Sequence, residues 1–528
     1  MADESPESQA ARREKNPDEK AAGMDAAARA ETDVYAVFGA EPEVQAYAMA
    51  KYSRSALSMK ESLRELNEQK AEKFLNTFYF QYGHRSIADL AHLAMAIEKL
   101  SILAAIAVVD EQRWDGQERS TRYQDFKRGG FFVPEFADRA QEQFYRETVG
   151  NLFTEYEVLS EGMWRYLAER TPKPPEMKPE AYERTLRARA FDISRYLLPL
   201  ATNTSLGQIV NARTLENQVS RLLSHTHAEV RRLGERLKQA AKEPAYNVNG
   251  DRVRALIEEF PGDDEALARK AEELLLKDVR VSPTLVKYAE ANPYAMETRR
   301  ALRQAAAEIM AGGAVEEARP VELLDDEPLE IELAATLLYE HCHYPYRQIR
   351  RQVEGMTEQR RAEIIALGRA HRGKHDELLR PLCAGQKFRF DILMDIGGFR
   401  DLHRHRRCVQ IGQGFTTAHG FDTPEEVRSA GVRERYEKTM NTAADAATKI
   451  GGENGEYVIP LGYRKRTLFK MDFAETVYIS ELRTGVGGHI SYRRVAYQMY
   501  QEVTRKYPTL EGYFRVTDPS VPVDLLQR

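Results

Sequence analysis

The stretch "RDLHRHRRCVQ" at 400–410 gathers Arg400, His403, Arg404, His405, Arg406 and Arg407 into one short run. The chain as a whole is slightly acidic, so this run is no product of background composition. Guanidinium forks flanking an imidazole suit the diphosphate and ring edge of a dinucleotide, because each fork donates two parallel hydrogen bonds to an anionic oxygen pair. A second stretch, "QERSTRY" at 117–123, offers the Ser120 hydroxyl and the Arg122 guanidinium to a phosphate monoester. Glu118 beside them is placed to accept from a pyrimidine or a ribose. Arg195, with Arg221 or Arg483, would complete a nucleotide clamp. No Walker sequence and no G-x-G-x-x-G turn is present, so any dinucleotide is to be held by side chains rather than by a glycine cradle.

Other candidates carry less. "HCHYP" at 341–345, with His371 and His375 downstream, invites a metal reading. No Cys-x-x-Cys or His-Glu-x-x-His frames it, and no metal is expected. Cys408 follows the basic run and is assigned no role.

These residues need a scaffold. The chain has 528 residues and is 42% hydrophobic, enough for two or more packed domains. A net charge of −5, from 77 basic and 82 acidic residues, argues against a dedicated nucleic-acid binder. Three cysteines make no disulfide framework and point to a reducing compartment. No apolar run reaches the roughly 18 residues of a membrane span. Residues 1–33 are charged and alanine-rich without a signal-peptide core, which predicts a disordered tail and a cytoplasmic location.

The scaffold is written twice. "VFGAEPEVQAYAMAKYSR" (37–54) reads like "LLDDEPLEIELAATLLYE" (323–340). "SRYLLPL" (194–200) echoes "GEYVIPL" (455–461), with the shared prolines 261 residues apart. "RLLSHTHAEVRR" (221–232) echoes "RTGVGGHISYRR" (483–494) at an offset of 262. Three matches in one order predict a duplicated domain. The expected division is a tail at 1–33, copy one at 34–245, a helical linker or insertion at 246–320, and copy two at 321–528.

Each copy reads as α+β. "FRFDILMDI" (388–396) alternates as a strand with one buried face, broken by Gly397-Gly398. "HLAMAIEKLS" (92–101) alternates likewise before the apolar helix "ILAAIAVV" (102–109). The stretches "AFDISRYLLPLATNTSLGQIV" and "ARTLENQVSRLLSHTHAEVRRLGERL" are expected to be long amphipathic helices.

Both copies resemble the flavin-dependent thymidylate synthase family. Its signature is an Arg-His-Arg followed by Ser, Asn-Glu and Ser-x-Arg-Tyr at fixed spacing, and here it is split. Copy two aligns without gaps into Arg404, His405 and Arg406, but has Val409, Ile411 and Gly414 where Ser, Asn and Ser are expected. Copy one has Glu118, Ser120, Arg122 and Tyr123, but "DEQ" (110–112) in place of Arg-His-Arg. Copy one also keeps Arg195, then Asn211 and Arg213 in "VNARTL", and Arg221, His225 and His227 in the next helix. Copy two has "DFA" (472–474) for Asn-Ala-Arg while retaining Arg483 and His489. "YGHRS" (82–86) resembles the family's early Gly-His turn, with "GKHDE" (373–377) as a weaker counterpart.

The resemblance implies an α+β fold of two tandem copies, each an antiparallel sheet with long helices. It implies FAD held by Arg404, His405, Arg406, Asn211, Arg213, His225, His227 and His489. The substrate dUMP would be held by Glu118, Ser120, Arg122, Arg195, Arg221 and Arg483. Methylenetetrahydrofolate would give the carbon and NADPH would recharge the flavin. Family members are homotetramers, so a fused duplicate would pair as a homodimer forming a pseudo-tetramer. Complementary losses in the two copies predict a composite site, with its counterpart empty of flavin and filled by its own side chains. A flavin- or nucleotide-binding pseudoenzyme, or a flavoenzyme acting on another nucleotide, are the alternatives.

Overall fold

The computed structural model describes residues 39–51, 85–122, 124–126, 130–259, 265–373, 376, 378–522 and 524–526. The expected tail, residues 82–84 of the first Gly-His turn, Tyr123, and Lys374, His375 and Glu377 of the second turn lie outside them. Pro42–Arg528 forms one compact unit that carries both copies.

Among the described residues, seven strands form two antiparallel sheets. In copy one, β1 (His92–Ser101), β2 (Asp115–Glu118) and β3 (Asn203–Asn211) pair in the order β1-β3-β2. In copy two, β4 (Val321–Leu323), β5 (Phe388–Asp395), β6 (Val409–Gly412) and β7 (Arg464–Met471) pair in the order β4-β5-β7-β6. Their registers repeat at the helix-proximal end, up to a one-residue shift between Glu98 and Leu100 that β5 lacks. Ser101 faces Asn203 in one sheet and Asp395 faces Arg464 in the other, which are shifts of 294 on the first strand and 261 on the second.

The helix starts repeat as well. Ser101 caps helix Ile102–Val109 by accepting from Ala104 N, and Asp395 caps helix Ile396–Leu402 by accepting from Gly398 N. Asn211 caps Ala212–Leu223 and Asp472 caps Phe473–Thr484. Each cap satisfies one of the N–H groups that a helix leaves unpaired at its start.

The copies meet across an internal pseudo-two-fold axis. Leu200 N donates to Ile459 O (3.0 Å), and its mate Leu461 N donates to Leu198 O (2.9 Å). Ala201 N to Tyr457 O (2.8 Å) and Gly462 N to Tyr196 O (2.9 Å) form the second matched pair. The bridge Pro199↔Pro460 lies between them, at the centre of the pattern. Proline donates no hydrogen bond, so its neighbours carry the junction. One hydrophobic core runs through both copies, from Leu93 and Val210 to Phe390 and Met499.

A polar pair is inverted across the axis. Ser101 donates from N and Oγ to buried Glu229 (2.9 and 2.7 Å), whereas in copy two Ser491 Oγ donates to Asp395. Hydroxyl and carboxylate have exchanged places while the contact survives. Ser101→Ala is expected to cost about 1–3 kcal/mol, because it strips the hydroxyl donor from a buried carboxylate and removes a helix cap. The check is a lowered urea midpoint at unchanged slope; an unmoved midpoint refutes the role.

Three expectations change. The 190–210 stretch is not one helix: the helix ends at Ser194, a short turn Arg195–Leu197 follows, and β3 begins at Asn203. Pro199 cannot continue a helix, and Thr204, Leu206, Gln208 and Val210 alternate as buried strand positions. The next stretch is two helices, Ala212–Leu223 and Ala228–Lys242, interrupted at His225–His227. β5 is buried on both faces rather than one: Arg389 pairs with Glu327 and Glu332, and Asp391 takes Tyr339, Tyr346 and Arg466 beneath helices Leu329–Tyr339 and Tyr346–Glu354. As expected, the strand stops ahead of Gly397 and Gly398, which lie in the first turn of helix Ile396–Leu402. A Cβ at Gly398 would sit 2.6 Å from Ser491 Oγ, and one at Gly397 3.4 Å from Arg195 Nε, so glycine permits both approaches.

In the 246–320 stretch, helices Gly250–Glu258 and Glu265–Leu275 are largely exposed. Helix Pro293–Ile309 instead adds Ala305 and Ala306 to a second core with Leu338, Ile349 and Leu468.

Candidate active site

Arg122 projects from the loop after β2 and is 6% exposed. Its Nε and Nη2 donate to the two oxygens of Asp192 at 2.7 and 2.9 Å, a bidentate pair. Nη1 donates to Tyr492 Oη at 2.9 Å and Nη2 to Gly487 O at 3.2 Å, so this copy-one arginine reaches copy two. Ser120 Oγ accepts from Arg122 N at 3.2 Å and shapes the loop.

Arg195, in the turn before Pro199, is 1% exposed and lies 3.4 Å from Asp401 and 4.0 Å from Asp192. Its Nε and Nη2 are buried with no hydrogen-bond partner. Glu118 pairs with Arg400, both side chains nearly buried. Arg406 lies over the Trp114 ring at 4.6 Å, and Trp114 Nε1 donates to Gln208 at 2.7 Å. The 114–122 loop of copy one and the 400–406 run of copy two therefore touch within one chain.

Asp401 collects the charges. Burial alone would raise its pKa, but Arg195 and Arg122 of copy one and Arg404 and Arg483 of copy two lower it. Asp192 behaves alike: burial opposes ionisation, while Arg122 and Arg195 hold the carboxyl well below its usual range. Four arginines thus surround two ionised carboxylates, leaving a positive surplus and buried unspent donors.

The histidines are neutral. Burial lowers His489 to about 3, with Arg195 and Arg122 adding to the shift, and its ring sits edge-on to Tyr196 at 5.5 Å. Burial also lowers His405. His405 Nε2 accepts from Arg483 Nε at 2.7 Å, which assigns the proton to Nδ1, 3.3 Å from Glu475. Arg404 is exposed, at the open side of this cluster.

Not every expected residue joins it. Asn211 is used as a helix cap, and Arg213 donates to Asp89 at 3.3 Å. Arg221, His225 and His227 line a different cavity of about 400 Å³, together with Asp110, His403 and Lys465. It is the pseudo-symmetric counterpart: Asp110 stands 294 residues before Arg404, and His227 262 before His489. The counterpart expected to be filled by its own side chains is open.

Sequence reasoning missed Asp192, Asp401, Trp114 and Tyr492. Asp401 lies inside the basic run and Asp192 one helical turn before Arg195, so spacing pointed to both. Cys408 is buried, which pushes its thiol well above the usual range. Among the described residues no group of three or more His, Cys, Asp or Glu is arranged to hold a metal, and no helix is long and apolar enough to cross a membrane.

The unpartnered donors fit an anionic ligand. Arg195 Nε and Nη2 and Arg406 Nε are buried polar atoms awaiting acceptors, and such atoms are rare without a ligand or water.

Comparison with known proteins agrees with the duplication. A UPF0159 protein of Chlamydia pneumoniae is 28% identical over 93% of this chain and 92% of its own length. A flavin-dependent thymidylate synthase of Clostridium tetani is 25% identical over 39% of this chain and 80% of its own. A crystal structure of thymidylate synthase X from Helicobacter pylori with FAD and dUMP is 15% identical, covering 44% of this chain and 95% of that one, at a TM-score of 0.25. The family described as thymidylate synthase complementing protein matches residues 36–245 and again 322–509. The chain is therefore a tandem member of that family, the one to which the flavin-dependent thymidylate synthases belong, with its signature divided between the two copies.

Proposed function

We propose that the chain methylates dUMP at C5 to give dTMP, at one composite site built from the 114–122 loop and Arg195 of copy one and from Arg404–Arg406, Arg483 and His489 of copy two. The observation that carries this reading is the convergence of Arg122, Arg195, Arg404 and Arg483 on Asp401. Bound FAD, recharged by NADPH, supplies the hydride there, and methylenetetrahydrofolate the carbon.

The chain's own contribution is positioning and charge. Arg195 has two free donors for a phosphate or a uracil oxygen, and the Ser120 hydroxyl, whose oxygen accepts from Arg122 N, still has a proton to donate. Asp192 and Asp401 hold the guanidiniums in place, so little reorganisation is needed when an anion arrives. Arg404 and Arg406 would hold the flavin's diphosphate, with the Trp114 ring against the Arg406 guanidinium. His405 is kept in one tautomer by Arg483 and Glu475. Neutral His489 contributes shape and a hydrogen bond without competing for the anion. Two chains would pair as a pseudo-tetramer, which sedimentation checks.

Purified protein should be yellow, and it should release tritium from dUMP labelled at C5 only when folate donor and NADPH are both present. Arg404→Ala combined with Arg406→Ala should release the flavin; retention of stoichiometric flavin rejects the assignment. One observation favours a nucleotide-binding pseudoenzyme instead: Glu118 and Arg122 are engaged by Arg400 and Asp192. Flavin binding with no tritium release would select that reading.

A further inference from the structure

We propose that the counterpart cavity, on the other side of the pseudo-two-fold axis, is a second ligand site that takes a nucleoside monophosphate. It goes beyond the reading above and uses residues outside that site.

The cavity, about 400 Å³, is in the range of small-molecule sites. Lys465 is its distinguishing group. It is 6% exposed, and among the described residues no carboxylate lies within ion-pairing distance of it. Its Nζ donates to the Gln413 carbonyl and lies 4.4 Å from the centre of the Phe415 ring and 5.4 Å from that of Phe399. A buried ammonium without a counter-ion is costly, and an anion entering the cavity removes that cost. Burial holds its pKa down to about 8, although Glu456, Asp110 and Glu340 act the other way. The strand register places Lys465 where copy one has Thr204, while Glu456 stands where copy one has Arg195. The counterpart has lost one cation and gained another.

Further polar atoms await partners. Arg221 Nε and Nη2 have no hydrogen-bond acceptor, with Glu111 3.5 Å from Nε. Gln410 Nε2 donates to Leu402 O and His405 O, which fixes its amide, so its Oε1 accepts from His403 Nδ1 at 3.0 Å. His403, lowered by burial, is neutral and presents Nε2 as a lone-pair acceptor, 3.7 Å from Asp110. Gln413 donates to Tyr344 O at 2.9 Å and leaves Oε1 buried and free. Donors for an anion, acceptors for ring N–H or hydroxyl groups, and the Phe415 ring occur together. A phosphate on a nucleoside satisfies all three; an inorganic anion satisfies only the first.

The test is equilibrium dialysis of the full chain with radiolabelled dTMP and, separately, orthophosphate. Gly414 lines the cavity, and a Cβ there meets only His343 Cε1 at 3.7 Å, so Gly414→Leu fills space without a clash. Gly414→Leu and Lys465→Met should each remove one class of dTMP site, weakening it at least about tenfold, as loss of a charge-assisted contact does. Flavin content and tritium release from dUMP should be unchanged in Gly414→Leu, which separates this site from the catalytic proposal. Wild-type dTMP binding in both folded variants overturns the inference. So does orthophosphate binding as tightly as dTMP, because the site would then recognise an anion only.

Discussion

Arg122→Ala is expected to weaken dUMP binding roughly ten- to a hundredfold, the size of one lost charge-assisted phosphate contact. The same truncation should destabilise the chain by about 3–5 kcal/mol, because it breaks a buried ion pair and leaves Asp192 without its bidentate partner. The two effects separate by experiment. Arg122→Lys keeps the charge but cannot reproduce the fork, so it should restore most of the stability and only part of the affinity. Calorimetry with dUMP alongside urea unfolding reads both quantities. Unchanged affinity in a destabilised variant would make Arg122 a strut between the copies. Thr416→Ala, at the matching position of copy two, should leave dUMP affinity unaltered.

Mixing two disabled chains should restore nothing. Arg400 meets Glu118, Arg406 covers Trp114, and Arg122 reaches Tyr492, all within a single chain. A chain carrying Arg404→Ala and Arg406→Ala, co-expressed with an Arg122→Ala chain, therefore places one lesion in every composite site. Turnover should not exceed the sum of the two variants alone. If the halves were instead shared between chains, half of the dimers would be mixed and each would hold one intact site, giving roughly a quarter of the parental rate. That recovery would refute the within-chain site.

Spacing along the chain was enough for the duplication. The offsets of 261 and 262 in sequence recur as strand register and helix caps, since identical spacing between turns and apolar positions builds the same local element twice. The split signature was equally legible, because Arg404–Arg406 and Ser120–Arg122 are each contiguous. β1 and the helix after it followed from apolar periodicity. β5 did not: its second buried face carries Arg389 and Asp391, and alternation reads a charged position as exposed unless its partner is known. The helix expected through 190–210 failed because residues 203–211 take their conformation from pairing with β1, more than ninety positions earlier.

Tertiary structure alone decided which half faces which. The axis through Pro199 and Pro460 turns copy one's loop toward copy two's arginines, and it sends Arg221, His225 and His227 to the opposite cavity. Motif matching assigned those three to the same site as Arg404, since a motif records what a residue can bind but not the side of an axis on which it stands. The state of the site has the same origin. Neutral His489, ionised Asp401 and the spare donors of Arg195 depend on burial and on charges 200 to 300 residues away in sequence. Such charges act through space in a medium of low polarity, so residue order leaves no trace of them until the chain is folded.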